Sequence, residues 1–161
     1  MSDQDTHDSV PPGARFDRYE VLRLLGQGGM GNVYEARHVD LDKRVALKVL
    51  GKRVAGNKVY LERFLREGRL AAKLEHPHVV TVFDVGTFEG KPYLVMEFLS
   101  GRDLASLLDE RGRLGVEETI DVVLPILAAL DVAHGAGVVH RDLKPANIFL
   151  VRAGHGGFHP K

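Results

Sequence analysis

A glycine-rich segment near the N-terminus constrains the fold of this chain most. Residues 26–33 have the sequence Gly-Gln-Gly-Gly-Met-Gly-Asn-Val, which fits the spacing G-x-G-x-x-G-x-V. In dinucleotide-binding folds a helix follows such glycines directly, whereas residues 33–39 here alternate with the period of two that is typical of a strand. The segment is therefore expected to be the turn of a hairpin, whose backbone N–H groups can approach a phosphate closely. An ordinary glycine-rich turn is an equally good explanation of these residues alone.

The composition limits the class of protein. The chain has 161 residues with 44% hydrophobic side chains, enough for a packed core, and its 22 basic side chains balance 22 acidic ones. A neutral chain has no bulk electrostatic reason to bind nucleic acid, so we expect no nucleic-acid partner. The absence of cysteine fits a reducing compartment, and we expect a cytoplasmic protein. Residues 120–139 are apolar but include Asp131 and Pro125, so they are not expected to cross a membrane.

The hydrophobic pattern predicts an α+β protein. Five strands are expected, over residues 19–25, 33–39, 44–50, 81–88 and 92–98. Three helices are expected, over residues 58–74, 103–111 and 116–136. A loop over residues 138–147, a short strand over residues 148–152 and an irregular hairpin end over residues 153–160 complete the order.

Two charged side chains are predicted on buried faces. Lys48 alternates with Ala46 on the third strand, so the two share a face. On the first helix Glu67 continues an apolar stripe, three residues after Phe64 and four before Ala71. Since a buried charge is costly unless it is paired, we predict an ion pair between Lys48 and Glu67. The alternatives are an edge lysine in water and a glutamate at the margin of the stripe.

The most specific signal is the octapeptide His-Arg-Asp-Leu-Lys-Pro-Ala-Asn at residues 140–147, in a loop between a helix and a strand. Asp142 can accept the proton of a substrate hydroxyl. Lys144 can neutralise charge on a transferring phosphoryl group, and Asn147 offers a carbonyl oxygen to Mg²⁺, which prefers oxygen ligands. A random polar turn would contain these residue types in this order only rarely.

Together these motifs resemble those of protein kinases, and most closely the bacterial eukaryotic-like Ser/Thr protein kinases. The resemblance covers residues 26–161. It implies a five-stranded antiparallel small lobe with one helix, followed by an incomplete, mainly helical large lobe. The expected division is a disordered tail over residues 1–15, a small lobe over residues 16–100 and the beginning of the large lobe over residues 101–161.

The resemblance also implies ATP and Mg²⁺ as cofactors and a protein Ser or Thr hydroxyl as acceptor. The implied catalytic residues are Asp142, Lys144, Lys48 and Glu67, with Asn147 as a Mg²⁺ ligand. The glycines would cover the phosphates, Lys48 would hold the α- and β-phosphates, and apolar side chains would enclose adenine. The implied ATP-binding residues are Leu25, Gly26, Gly28, Gly31, Val33, Ala46, Lys48, Met96, Glu97, Leu99, Asp103 and Phe149.

The sequence departs from the family pattern at its C-terminus, because it contains no D-F-G motif, activation loop or A-P-E motif. The resemblance assigns the principal Mg²⁺ ligand to the missing aspartate, so we expect very weak phosphoryl transfer by this chain alone. The alternatives are a non-catalytic nucleotide- or partner-binding module of the pseudokinase kind and a truncated product without a stable fold.

We also expect the last long helix to be partly uncovered and available to a partner. Its apolar side chains are Ile120, Val122, Val123, Leu124, Ile126, Leu127, Leu130 and Val132.

Overall fold

The computed structural model describes residues 9–28, 31–51, 55–152 and 158–161. These residues form two compact units. The first unit contains the chain up to Ala72 together with Val82–Phe98, and the second contains Lys73–Thr81 and Leu99–Lys161. Residues 1–8 of the expected tail and residues 153–157 of the expected hairpin end lie outside the described residues.

The first unit is an antiparallel sheet with one helix. In chain order its strands are β1 (Arg15–Phe16), β2 (Tyr19–Gly28), β3 (Gly31–His38), β4 (Lys43–Leu50), β5 (Val82–Phe88) and β6 (Lys91–Glu97), with helix α1 (Lys58–Ala71) between β4 and β5. The six strands have the spatial order β1-β2-β3-β4-β6-β5. All five predicted strands are present. The prediction of a five-stranded sheet missed β1, which has two residues and is too short for an alternating pattern to reveal.

One face of this sheet, called the core face, is covered by apolar and aromatic side chains. The described cluster contains Phe16, Tyr19, Val21, Tyr34, Ala36, Val45, Leu47, Val49, Tyr93 and Val95. Successive strand residues point to opposite faces, so Ala46 and Lys48 of β4 lie on the other face. Helix α1 packs on that second face, called the helix face, where Gly68 lies against Val85 and Leu94.

The segment before β1 is docked on the core face. Val10 packs against the aromatic cluster, and its N–H donates a 2.9 Å hydrogen bond to the hydroxyl of Tyr34. The N–H of Gly13 donates a 2.7 Å bond to the carbonyl of Val21. The predicted mobile tail is therefore wrong from Val10 onward, because these contacts offset the entropy lost on ordering the segment.

The second unit contains a small sheet and two helices. Its elements are β7 (Gly101–Asp103), α2 (Leu104–Arg111), α3 (Val116–Gly135), a 3₁₀ turn (Pro145–Asn147), β8 (Phe149–Arg152) and β9 (Phe158–Pro160). The sheet is three-stranded with the order β7-β8-β9. Both helices and β8 match the prediction, and Pro125 lies within α3 without ending it. The three-residue strands β7 and β9 were not predicted, because they form only through pairing with β8.

Helix α3 buries one narrow face and exposes the others. The buried residues Val122, Ile126, Ala129 and Ala133 recur at intervals of four and three, the period of one helix face. The partly uncovered helix is confirmed, although Val122 and Ile126 of the predicted set are buried. Exposed large apolar side chains of this helix are Val116, Ile120, Val123, Leu124, Leu127 and Val132. Within the described ranges, no helix is long and apolar enough to span a membrane.

Two histidines join the segment before β5 to strand β9. A ring nitrogen of His78 lies 2.7 Å from the carbonyl oxygen of Pro160, and a ring nitrogen of His159 lies 3.0 Å from that of Pro77. The carbonyl oxygens only accept, so each imidazole donates. The two rings also stack, with centroids 4.3 Å apart. These reciprocal contacts fix a connection that is 82 residues long in sequence.

We expect His78→Ala and His159→Ala to be coupled. In a double-mutant cycle followed by urea denaturation, the interaction free energy should be about 1 kcal/mol, because each variant already removes the stacking partner of the other ring. His134→Ala on α3, an exposed histidine, is the matched control and should change stability little. Strictly additive effects of the two substitutions would show that the rings stabilise the unit independently.

Candidate functional site

The sheet register brings five residues implicated in nucleotide binding to the helix face. Gly26 pairs with Val33, and Val33 pairs in turn with Lys48. Ala46 pairs with Met96 on β6. Directly opposed residues of antiparallel strands project from the same face of a sheet. Residues that are up to 70 positions apart in the sequence therefore line one continuous surface.

The glycine-rich segment is a hairpin, as predicted, because Gly28 pairs with Gly31 and β2 and β3 continue on either side. Leu25 lies within a register irregularity between Leu24 and Gly26, and its side chain is exposed. Gly31 has a φ of 144°, a backbone conformation that residues with side chains rarely adopt. Gly26, Gly28 and Gly31 have no side chains that would keep an anion away from the backbone of this hairpin.

The predicted ion pair between Lys48 and Glu67 is wrong for this structure. The carboxylate of Glu67 accepts a 2.9 Å hydrogen bond from Arg63 Nε one helical turn earlier, and its side chain is 57% exposed. In the described part of the chain, no ion pair joins Glu67 to Lys48.

Glu67 does not reach Lys48 because of how α1 is rotated about its own axis. The most buried residue of the helix is Gly68, and a Cβ added there would lie 2.9 Å from Val85 Cγ2 and 3.1 Å from Leu94 Cδ1. The absent side chain lets the helix approach the sheet closely at this point. Because glycine does not count as apolar in a helical stripe, the sequence pattern assigned the buried face to Glu67 and not to its neighbour Gly68.

The remaining candidates for the adenine and ribose sites belong to both units, with Met96 and Glu97 in the first and Leu99, Asp103 and Phe149 in the second. Met96, Glu97 and Leu99 are partly buried. Asp103 pairs with Phe149 across β7 and β8. The carboxylate of Asp103 caps α2, accepting bonds from the Ser106 N–H at 2.9 Å and the Ser106 hydroxyl at 2.7 Å. These hydrogen bonds lower the pKa of Asp103. This capping role was not predicted, although an aspartate followed by a helical run is an N-cap signal.

The octapeptide brings its three predicted functional residues together. Asp142 Oδ2 lies 2.9 Å from Lys144 Nζ and accepts a 3.0 Å bond from Asn147 Nδ2. The same amide also donates a 2.8 Å bond to the Asp142 carbonyl, which closes the loop on itself. Arg141 has a φ of 65° and turns the chain at this point. All these side chains are exposed, so they are open to a substrate.

The electrostatics of this loop favour an ionised Asp142. The hydrogen bond with Lys144 lowers the pKa of the Asp142 carboxyl most, and the bond from Asn147 lowers it further. An ionised carboxylate can accept a proton at neutral pH. Since Asn147 donates through its nitrogen, its side-chain oxygen is left for another partner, and amide and carboxylate oxygens suit Mg²⁺. Among the described residues, no three His, Cys, Asp or Glu side chains form a metal-binding group.

We expect Lys144→Ala to raise the pKa of Asp142 toward that of an ordinary aspartate. A carboxyl whose pKa is depressed by folding contributes stability above its unfolded-state pKa, and this contribution is lost as the pH falls through the folded-state pKa. A carbon-13 NMR titration of the side-chain carboxyls measures the shift directly. Arg113→Ala, which removes an exposed cation elsewhere in the same unit, should leave the Asp142 titration unchanged. Equal titration curves in the wild type and the Lys144 variant would contradict the assignment.

Residues 19–158 match the model of the protein kinase domain family. The chain belongs to the protein kinase family. It is 42% identical to the serine/threonine-protein kinase PknH of Mycobacterium bovis over 87% of its own length, and 40% identical to the probable serine/threonine-protein kinase PknB of Lactococcus lactis over 86%. It also resembles the crystal structure of a double mutant of the Mycobacterium tuberculosis PknI kinase domain, with 36% identity, a TM-score of 0.82 and 91% of this chain covered.

These similarities confirm the predicted fold class, and the chain has the antiparallel sheet and helices of that fold. The chain spans less than a quarter of the length of the curated relatives, 24% of PknH and 22% of PknB. It covers 60% of the PknI kinase domain chain. The helix face also contains a buried carboxylate at Glu35, held by two arginines, which the sequence pattern did not predict.

Proposed function

We propose that this chain carries the nucleotide-binding sheet and the catalytic loop of an ATP-dependent Ser/Thr protein kinase. The observation that carries the proposal is the convergence of Asp142, Lys144 and Asn147 within hydrogen-bond distance in one exposed loop. The names of the relatives, which are serine/threonine-protein kinases, supply the reaction class. We further assign residues 16–100 to the small lobe and residues 101–161 to the large lobe, and we expect the chain to act in the cytoplasm, where ATP is available.

In this proposal the backbone N–H groups of Gly26, Gly28 and Gly31 bind the phosphates of ATP, and Lys48 neutralises the α- and β-phosphates. The adenine ring packs on Leu25 and on Val33 of the helix face. Further contacts to ATP are assigned to Ala46, Met96, Glu97, Leu99, Asp103 and Phe149. Mg²⁺, when bound at Asn147, supplies charge neutralisation at the phosphate oxygens.

The catalytic loop performs the proton transfer. Asp142 accepts the proton of a Ser or Thr hydroxyl of the protein substrate, and the hydroxyl oxygen forms a bond to the γ-phosphorus. The bond between the γ-phosphorus and the bridging oxygen breaks, and ADP leaves with that electron pair. Lys144 balances the charge on the transferring group. We expect turnover by this chain alone to be slow, because Asn147 offers only one oxygen ligand to the metal.

One observation favours a second candidate, a non-catalytic nucleotide-binding module. Glu67 is bonded to Arg63 and does not orient Lys48, so the sheet could bind nucleotide without reaching the arrangement needed for transfer. Such a module would bind ATP with an affinity that does not depend on Glu67. A catalytic chain would show transfer that falls in Glu67→Gln.

Nucleotide binding tests the shared part of both proposals. We expect Lys48→Met to weaken the binding of ATP with Mg²⁺ by about tenfold or more in a calorimetric titration, because one charge-assisted contact to the phosphates is lost. Lys43→Met is the matched control, since Lys43 lies on the same strand and contacts the ring of Phe83 instead. A wild-type chain that does not bind ATP at millimolar concentration would overturn the proposal.

A further inference from the structure

Glu35 is a buried carboxylate in the middle of the helix face. It lies on β3 two residues after Val33 and pairs directly with Ala46 of β4. Its side chain is only 8% exposed. Burying a carboxylate is costly unless charged donors satisfy it, so its presence between two adenine-site candidates requires an explanation. None of the roles assigned above uses it.

Two arginines from the flanking strands satisfy this carboxylate. Arg23 of β2 directs both Nε and Nη2 at Glu35 Oε2, each at 2.7 Å. Arg44 of β4 donates from Nη1 to Glu35 Oε1 at 3.3 Å. Both carboxylate oxygens are therefore engaged, and one side chain cross-links three strands. The arginine side chains are 62% and 60% exposed, so their own charges stay hydrated.

Arg23, one of the two arginines bonded to Glu35, lies where the pairing of β2 is least regular. The pairing of β2 with β3 is irregular between Val21 and Arg23 and again between Leu24 and Gly26. Such irregularities interrupt the ladder of backbone hydrogen bonds. Arg23 lies between them, three residues before Gly26, where the glycine-rich segment begins. Its bonds to Glu35 thus restrain a part of the strand that backbone pairing restrains weakly.

Arg44, the other arginine bonded to Glu35, contacts the segment assigned to ATP binding. The guanidinium carbon of Arg44 is 4.8 Å from the ring centroid of Phe98, within the range of a cation–π contact. Phe98 stands in the sequence between Glu97 and Leu99, which are both assigned to ATP binding. The side chains Arg23, Glu35, Arg44 and Phe98, here called the brace, therefore connect the strand entering the glycine-rich segment with the residue after β6.

We propose that Glu35 is a positioning residue for the nucleotide, because the brace holds the entry to the glycine-rich segment and Phe98 in register with Val33 and Ala46. The consequence for nucleotide affinity rests on the proposed function, whereas the restraint on the strands does not. Glu35→Gln keeps the shape of the side chain but removes the charge that both arginines share. The strands should remain folded, with β2 and Phe98 held less tightly.

The test measures two properties of each variant of the full chain. Calorimetric titration with ATP and Mg²⁺ should give a dissociation constant about three- to tenfold larger for Glu35→Gln than for the wild type. Amide hydrogen exchange without nucleotide should be faster at Gly26 and Val33. The double variant Arg23→Gln/Glu35→Gln should bind no worse than Glu35→Gln alone, because the contact is already lost. Glu35→Asp, which keeps the charge, should recover part of the affinity.

Arg37→Gln is the matched control. Arg37 also lies on β3 and forms ion pairs with Glu20 of β2 and with Asp42, but it has no contact in the brace. Its nucleotide affinity and its exchange at Gly26 should match the wild type. Unchanged exchange in Glu35→Gln would overturn the restraint, even if the wild type binds no nucleotide. Faster exchange with unchanged ATP affinity would overturn the positioning role and leave the proposed function intact.

Discussion

Replacing Gly31 with alanine is expected to lower the free energy of unfolding by about 3 kcal/mol or more. The backbone of Gly31 has a φ of 144°, and a Cβ added there would lie 2.1 Å from the Val49 carbonyl oxygen and 2.9 Å from Leu50 Cα. Both obstacles are backbone atoms of β4, and Gly31 is paired with Leu50 in the same ladder. These atoms cannot move away without breaking the pairing of β3 with β4. The backbone strain at the positive φ and the steric overlap of the new Cβ therefore both lower the stability.

Gly26→Ala provides the comparison, since it changes a glycine of the same hairpin. A Cβ added to Gly26 meets no atom within 4 Å, and its backbone is outside the left-handed region. We expect a change in unfolding free energy of less than about 1 kcal/mol. Urea denaturation followed by circular dichroism measures both variants. Similar stabilities for the two alanine variants would show that the β3–β4 ladder yields more easily than the geometry indicates.

The local pattern predicted the longer elements well, because each of them carries its own period. The alternation of residues 44–50 predicted β4 (Lys43–Leu50), and the helical period of residues 116–136 predicted α3 (Val116–Gly135). Strands β1 and β9 carry no period of their own and exist only through their partners. The docking of Val10 was unpredictable for the same reason, since a single apolar residue in a polar segment gives no signal.

The candidate site also contains one part that the sequence predicts and other parts that depend on tertiary packing. Asp142, Lys144 and Asn147 lie within six positions of one another, so their proximity follows from the sequence once the loop is recognised. The relation between Lys48 and Glu67 depends instead on how far α1 rotates on the sheet, which the close approach at Gly68 decides. The brace around Glu35 depends on the irregular register of β2, which no alternating pattern encodes.

The largest functional effect is expected for Asp142→Asn. We expect phosphoryl transfer to a protein substrate to fall by about 10²- to 10⁴-fold, because an amide cannot accept the proton of the attacking hydroxyl. The affinity for ATP should stay close to that of the wild type, since no phosphate contact is assigned to Asp142. This pattern is the reverse of that expected for Lys48→Met, in which binding itself is weakened.

A radiolabelled single-turnover assay with excess chain over ATP measures this ratio even when turnover is slow. Asp109→Asn on α2 is the matched control, because it neutralises an exposed aspartate of the same unit outside the catalytic loop. Transfer that is equally fast in both variants would place the chemistry elsewhere. If the wild type binds ATP but transfers no phosphate above the Asp142→Asn level, then the bond between Glu67 and Arg63 is the more informative feature, and the chain acts as a nucleotide-binding module.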